Sequence, residues 1–312
     1  MKLRIGTRGS ALALWQSRHI AARLAATSPQ AQIDLVEISS DGDRNTDLPL
    51  SQVEGTGFFT AALERALLSG EIDVAVHSYK DLPVVSSARL TVAAVPDRGP
   101  VEDALCARDG LTLDALPPGA RIGTCSTRRT AQLRLIRDDL EIVALRGNVP
   151  TRLARVGCDL DAIVLARAGL VRLGLDQAIT ELFSVARMLP APAQGALAVQ
   201  CRVADDDVRR YVRVLDHAQT RRAVDAERTM LHALGGGCSV PVGAVAVARD
   251  GRLRLTAAVF GLRTGTALRI ELRGDDPVAL GRLAAARLFD QGAADLLGEV
   301  DAAALSAAGS EA

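Results

Sequence analysis

The chain has 312 residues, 48% hydrophobic and 24% charged, with a formal net charge of +0. The composition is that of a globular protein, and the length accommodates two or three domains. Zero net charge provides no overall field for nucleic acid or an anionic membrane, so any role of the positive side chains is local.

Aromatic residues are only 3%, which predicts a core of small aliphatic side chains. Five cysteines are present, Cys106, Cys125, Cys158, Cys201 and Cys238. The odd number and the lack of zinc-type spacing point to a reducing compartment. The first residues, Met1-Lys-Leu-Arg-Ile-Gly-Thr-Arg8, place charges where an export signal needs an apolar run. No apolar stretch is long enough to span a bilayer. A cytoplasmic protein is expected.

In chain order, a strand is predicted over residues 3–6. The turn Thr7-Arg8-Gly9-Ser10 follows, and then an amphipathic helix over 11–26 with Ser10 as its N-cap. A strand over 33–39 leads into a long polar loop, 41–57. A helix over 58–69 and strands over 72–76 and 90–95 complete a β-α-β-α-β pattern, the mark of an α/β domain. Pro96-Asp-Arg-Gly-Pro100 reads as a linker.

A second α/β set begins with a strand over 121–123 and the turn Thr124-Cys-Ser-Thr-Arg-Arg129, which opens a helix. A strand over 141–145 meets Arg146-Gly-Asn-Val-Pro-Thr-Arg152, where Asn148 suits an N-cap and Pro150 suits a first helical turn. A strand over 161–166 and a helix from Arg167 come next. Leu189-Pro-Ala-Pro-Ala-Gln-Gly195 is a second proline-rich crossing. Beyond it lie a strand over 196–201, a helix near 205–215 and a long helix over 219–234 that ends in Gly235-Gly-Gly237. Three strands and a helix over 277–289 then suggest a small third domain of α+β type.

The stretch Ile72-Asp-Val-Ala-Val-His-Ser-Tyr-Lys-Asp-Leu-Pro83 turns from apolar to polar within a few residues. Ligands of open α/β sheets bind at the carboxyl ends of strands, where His77, Ser78, Lys80 and Asp81 are expected. Of the 37 Lys+Arg residues only Lys2 and Lys80 are lysines, so Lys80 suits a task that arginine cannot perform. A plain Lys–Asp ion pair is the alternative. Arg8, Arg128, Arg129, Arg146, Arg152 and Arg172 each lie in or just after a strand-to-helix turn. Such turns attract anions, and arginine adds bidentate pairing to carboxylates or phosphates. A small, multiply negative ligand is expected. Cys238 follows three glycines and reads either as an exposed thiol or as an incidental residue after a helix end. Cys125 reads as a serine-like filler, and Cys201 as core.

Seven segments, in order, resemble the hydroxymethylbilane synthase (porphobilinogen deaminase) family. They are Ile5-Gly-Thr-Arg-Gly-Ser10, His77-Ser-Tyr-Lys-Asp-Leu-Pro83, Gly123-Thr-Cys-Ser-Thr-Arg-Arg129, Leu145-Arg-Gly-Asn-Val-Pro-Thr-Arg-Leu153, Ala168-Gly-Leu-Val-Arg-Leu-Gly174, Pro192-Ala-Gln-Gly-Ala-Leu197 and Gly236-Gly-Cys-Ser-Val-Pro241. The resemblance implies two α/β domains like those of type II periplasmic binding proteins, with a hinge and crossover, plus the small C-terminal α+β domain. The implied boundaries are 1–96 with 196–215, 101–190, and 219–312.

The resemblance further implies stepwise condensation of four porphobilinogens, with release of ammonia, onto a dipyrromethane cofactor attached covalently to Cys238. It implies Asp81 as the catalytic carboxylate. It also implies Arg8, Ser10, Lys80, Thr124, Ser126, Arg128, Arg129, Arg146, Gly147, Arg152, Arg172 and Gln194 as contacts to the carboxylates of cofactor and substrate. A monomer is implied, with no metal, nucleic acid or membrane partner. The chain departs from the family pattern at Gln52 and Thr56, where basic residues are common, at Ala193, where glycine is common, and at Gln200, where glutamate is common. The rivals are a non-enzymatic two-lobed binding protein for a small polyanion and a phosphate-handling enzyme. The latter lacks a Gly-x-x-x-x-Gly-Lys-Ser/Thr motif.

Overall fold

Short apolar runs, each closed by a polar turn, build two five-stranded sheets and one three-stranded sheet. The computed structural model describes residues 2–39, 58–237 and 240–299. The chain divides into two compact units, residues 1–99 with 195–222, and residues 100–194 with 223–312.

In the first unit, β1 (Lys2–Thr7), β2 (Gln32–Glu37) and β3 (Val74–Ser78) are joined by α1 (Ala11–Thr27) and α2 (Phe58–Ser69). β4 (Leu90–Ala94) and β10 (Leu197–Arg202) complete the sheet in the order β2-β1-β3-β10-β4. β1 is parallel to β2 and β3, and β10 is antiparallel to β3 and β4. Alternation along the strands fills both faces. Leu3, Ile5, Val74 and Val76 pack with Ile20 and Leu24 of α1, while Ala75 packs with Leu63 and Leu67 of α2.

The second unit repeats this topology. Its strands are β5 (Asp103–Ala107), β6 (Arg121–Gly123), β7 (Glu141–Val143), β8 (Ala162–Ala166) and β9 (Glu181–Leu182), in the order β7-β6-β8-β5-β9. β6 is parallel to β7 and β8, and β5 is antiparallel to β8 and β9. The antiparallel strand of each sheet is therefore supplied after a crossing, β5 after residues 95–102 and β10 after residues 183–196. This is the two-domain α/β architecture with a crossover expected from the sequence. β5 itself falls where the sequence reading placed no strand.

Helices α3 (Thr127–Ile136), α4 (Val149–Leu153) and α5 (Arg167–Arg172) follow β6, β7 and β8. α6 (Asp206–Val212) and α7 (Ala218–Ala233) follow β10. The last part of the chain is an antiparallel meander of β11 (Val242–Arg249), β12 (Arg252–Phe260) and β13 (Ala267–Gly274), covered by α8 (Pro277–Asp290). It lies in the same compact unit as β5–β9. Ala131 of α3, Leu189, Val245, Ala258 and Phe260 form one apolar cluster there.

Candidate active site

In the first unit the expected residues lie on two turns at the carboxyl ends of neighbouring parallel strands. Arg8 and Ser10 occupy the turn between β1 and α1. Ser10 has the extended backbone of an N-cap, and its Oγ accepts the Ala13 N–H at 3.3 Å. Lys80 and Asp81 occupy a 3₁₀ turn, Tyr79–Asp81, directly after β3. Gln16 of α1 donates to Ser78 Oγ at 2.7 Å, which ties the two turns together. Tyr79 is buried, Lys80 half-buried and Asp81 exposed. The turn thus anchors itself through Tyr79 and leaves the Asp81 carboxylate open to solvent.

The sequence leaves His77 open between a base beside Lys80 and a structural histidine, and the structure supports the second. His77 is a buried strand residue, 5% exposed, and is not presented at the strand end. Its Nε2 lies 3.0 Å from Gln200 Oε1, and Gln200 Nε2 donates to Glu64 Oε1 at 2.8 Å. The Gln200 amide nitrogen is committed to Glu64, so its oxygen faces the imidazole, and His77 carries its proton on Nε2. Burial pushes the His77 pKa down to about 4, against the opposing effect of its hydrogen bond to Gln200. A neutral imidazole held this way is a structural group.

In the second unit three adjacent parallel strands, β7, β6 and β8, lead into the turns and short helices that carry most of the remaining residues; Arg172 ends α5 and Gln194 lies in the second crossing. After β6, the Thr124 N–H donates to Val143 O at 2.9 Å and Thr124 Oγ1 accepts the Ser126 N–H at 3.1 Å. Ser126 caps α3 by accepting the Arg129 N–H at 3.4 Å. Cys125 does more than fill space. Its Sγ donates to Leu145 O at 2.9 Å and accepts the Leu145 N–H at 3.2 Å, joining the turn after β6 to the turn after β7.

In that next turn Gly147 has φ 107°, a conformation that disfavours any side chain. Its carbonyl accepts Arg152 Nε at 2.7 Å. Asn148 caps α4 through Oδ1, which accepts the Thr151 N–H at 2.9 Å. Arg172 is half-buried on α5, and loss of solvent pulls its guanidinium down to about 10.

Arg128 and Arg129 turn inward. Both are buried, and both pair with Asp103 at the start of β5, which is 0% exposed. Asp103 Oδ2 accepts Arg128 Nη1 at 2.7 Å, and Oδ1 accepts Arg129 Nη2 at 2.6 Å. Gln194 Nε2 donates to the same Oδ1 at 3.0 Å and to Val101 O at 2.7 Å. Burial acts to raise the Asp103 pKa, but the two guanidinium charges outweigh it and hold the carboxyl well below the usual range. The sequence reading missed Asp103. Its only signal there is an acid heading the apolar run Ala104-Leu-Cys-Ala107.

Cys238, Gln52 and Thr56 lie outside the described residues. Among the described residues no cluster of His, Cys, Asp or Glu could hold a metal ion.

Residues 3–210 match the family model described as "Porphobilinogen deaminase, dipyromethane cofactor binding domain", and residues 221–290 match the one described as "Porphobilinogen deaminase, C-terminal domain". The chain belongs to the porphobilinogen deaminase family. Porphobilinogen deaminase of Mycolicibacterium gilvum (strain PYR-GCK) is 48% identical over 95% of this chain and 98% of its own length. That of Xanthomonas euvesicatoria pv. vesicatoria (strain 85-10) is 48% identical over 96% of this chain and 99% of its own. Among solved structures, the methionine-binding protein MetQ aligns with 69% of this chain and 89% of its own at 11% identity and a TM-score of 0.43. Hydroxyl-bearing caps and arginines suit carboxylates, and a single exposed carboxylate follows the only interior lysine.

Proposed function

We propose that this chain is a hydroxymethylbilane synthase, a transferase that joins four porphobilinogens head to tail, releases one ammonia for each, and frees the linear tetrapyrrole hydroxymethylbilane by addition of one water. The observation that carries this reading is the match of both family domains in order, at 48% identity over 95% of the chain.

The residues present fit a dipyrromethane. Its acetate and propionate groups require anion receptors, and the second unit supplies arginines after three neighbouring strands, with Ser126 and Asn148 as helix caps after two of them. When attached at Cys238, the dipyrromethane would supply the pyrrole carbon onto which the first unit is joined. Arg8, Ser10, Arg128, Arg129, Arg146, Arg152, Arg172, Thr124, Ser126, Gly147 and Gln194 hold carboxylates of the growing chain and of porphobilinogen. Charge-assisted, bidentate pairing makes arginine the suitable partner. Lys80 offers a compact ammonium beside Asp81.

Asp81 acts where positive charge develops. As the amino group of porphobilinogen's aminomethyl substituent departs as ammonia, the carboxylate stabilises the methylene-pyrrole cation that remains. After the new carbon–carbon bond forms, it accepts the proton displaced from the attacked ring carbon. Cys238 is an anchor and does not turn over.

The reading includes a monomer in the cytoplasm with no nucleic-acid or membrane partner. It is supported by zero formal net charge and by free thiols at Cys106, Cys158 and Cys201. Among the described residues no helix is long and apolar enough to cross a membrane.

The test is the intact mass of the purified protein beside Cys238→Ser. An excess equal to two porphobilinogens less two ammonias, present only with the cysteine, is expected. A folded wild type that gains no such mass after incubation with porphobilinogen would favour the non-enzymatic binding protein.

A further inference from the structure

Asp103 is the point where three of the proposed ligand-binding residues meet. Its two oxygens receive four hydrogen bonds, from Arg128 Nη1, Arg129 Nε and Nη2, and Gln194 Nε2. The outer ends of these side chains are fixed as well. Arg128 Nη1 also donates to Leu189 O at 2.8 Å, and Arg129 Nη1 donates to Val164 O at 2.9 Å. Gln132 holds the Leu189 peptide from both sides, donating to its carbonyl at 3.0 Å and accepting its N–H at 2.7 Å. The carboxylate therefore joins β5, α3, β8 and the second crossing into one buried assembly.

The charge balance points the same way. Two buried guanidinium groups face one buried carboxylate, which leaves one positive charge over. The adjacent acid, Glu102, is taken up by Arg167 at 3.5 Å. A buried charge without a counter-charge is costly, and a ligand carboxylate arriving at this assembly relieves that cost. Without Asp103 the assembly would hold two like charges with nothing to set their directions.

We propose that Asp103 is a positioning residue for pyrrole-carboxylate recognition. It locks Arg128, Arg129 and Gln194 into one unit and trims their charge to a single positive unit, matched to one carboxylate of the bound oligopyrrole. This rests on the reading above that these three residues contact the carboxylates.

The experiment uses the full-length, primer-loaded enzyme. Asp103→Asn preserves shape but places an amide N–H against a guanidinium. It is expected to raise the KM for porphobilinogen about tenfold, the loss of roughly one charge-assisted hydrogen bond. The rate at which primer-free enzyme gains its covalent pyrrole mass should fall in parallel. An unchanged KM and unchanged priming in the folded fraction would reduce Asp103 to a structural residue and overturn the proposal.

Arg128→Leu separates the two readings. If it leaves KM unchanged, the carboxylate-binding reading fails. If it raises KM while Asp103→Asn does not, only the role of Asp103 fails. Should Asp103→Asn not fold, Asp103→Glu keeps the charge and displaces the carboxylate by one methylene. A raised KM at unchanged charge supports the positioning role, and a wild-type KM overturns it.

Discussion

The Ala193 N–H donates to Glu227 Oε2 at 2.6 Å, and Ala193 holds φ 62°. A carboxylate of α7 thus secures a left-handed residue in the second crossing, immediately before Gln194. The left-handed conformation costs a residue with a Cβ about 1–2 kcal/mol. Ala193→Gly removes that cost, set against the roughly 0.5–1 kcal/mol of extra freedom glycine has in the unfolded chain. A net gain of up to about 1 kcal/mol is expected, read as a higher urea midpoint at unchanged slope. A lower midpoint would show that the loop is not strained at this residue.

Glu227 is fully buried and also accepts the Ala246 N–H at 2.7 Å through Oε1. Glu227→Ala leaves two buried N–H groups unsatisfied, and each costs about 1–3 kcal/mol. Unfolding stability should fall by at least about 2 kcal/mol, with Glu227→Gln in between because one acceptor remains. Equal stability of wild type and Glu227→Ala in urea titration would contradict this bridging role.

His77 makes stability depend on pH. Its pKa is about 4 in the folded chain against 6.5 as the ordinary value. Between those pH values the unfolded chain binds the extra proton and the folded chain does not, so stability falls as pH falls. The contribution is fully present above pH 6.5, is lost through the window, and amounts to about 3 kcal/mol. His77→Gln should flatten this part of the profile. The check is the difference in unfolding free energy between the two proteins at pH 7, 5.5 and 4.5, and a constant difference would rule the mechanism out.

Asp81 is exposed on a turn anchored by its neighbour Tyr79, so its side chain can be changed without disturbing the core. Asp81→Asn should retain the covalent primer mass and the thermal stability of the wild type while lowering turnover by about 10²–10⁴-fold, the range for a general acid–base group. Single-turnover mass spectrometry, counting the pyrroles added to each enzyme, is the direct readout. Normal addition rates would remove Asp81 from the chemistry.

Much of the scaffold was legible in local patterns. Ser10 and Asn148 read as caps because a short polar side chain before an apolar-periodic run satisfies nearby N–H groups, and both do so; Ser126 does the same without having been singled out as a cap. The strand at 72–76 lies two residues later, at Val74–Ser78, because its ladder with β10 runs on to Ser78 opposite Leu197, with the His77 side chain held by Gln200. That partner is 123 residues away, and nothing near His77 in the chain announces it. Cys125 was read as a filler because its two hydrogen bonds to Leu145 form only when two separate turns meet.

The sequence by itself determined the alternation of strands and helices, the carboxyl-end turns that gather the arginines, and the family, since these depend on residue types at short spacing. The tertiary structure decided which polar groups face inward. It inserted β10 between β3 and β4, paired β5 antiparallel to β8, and so brought Asp103 onto Arg128 and Arg129. The physical reason is that a buried charge is tolerated only with a partner. In this fold that partner comes from a distant strand through pairing and packing, and no local pattern encodes it.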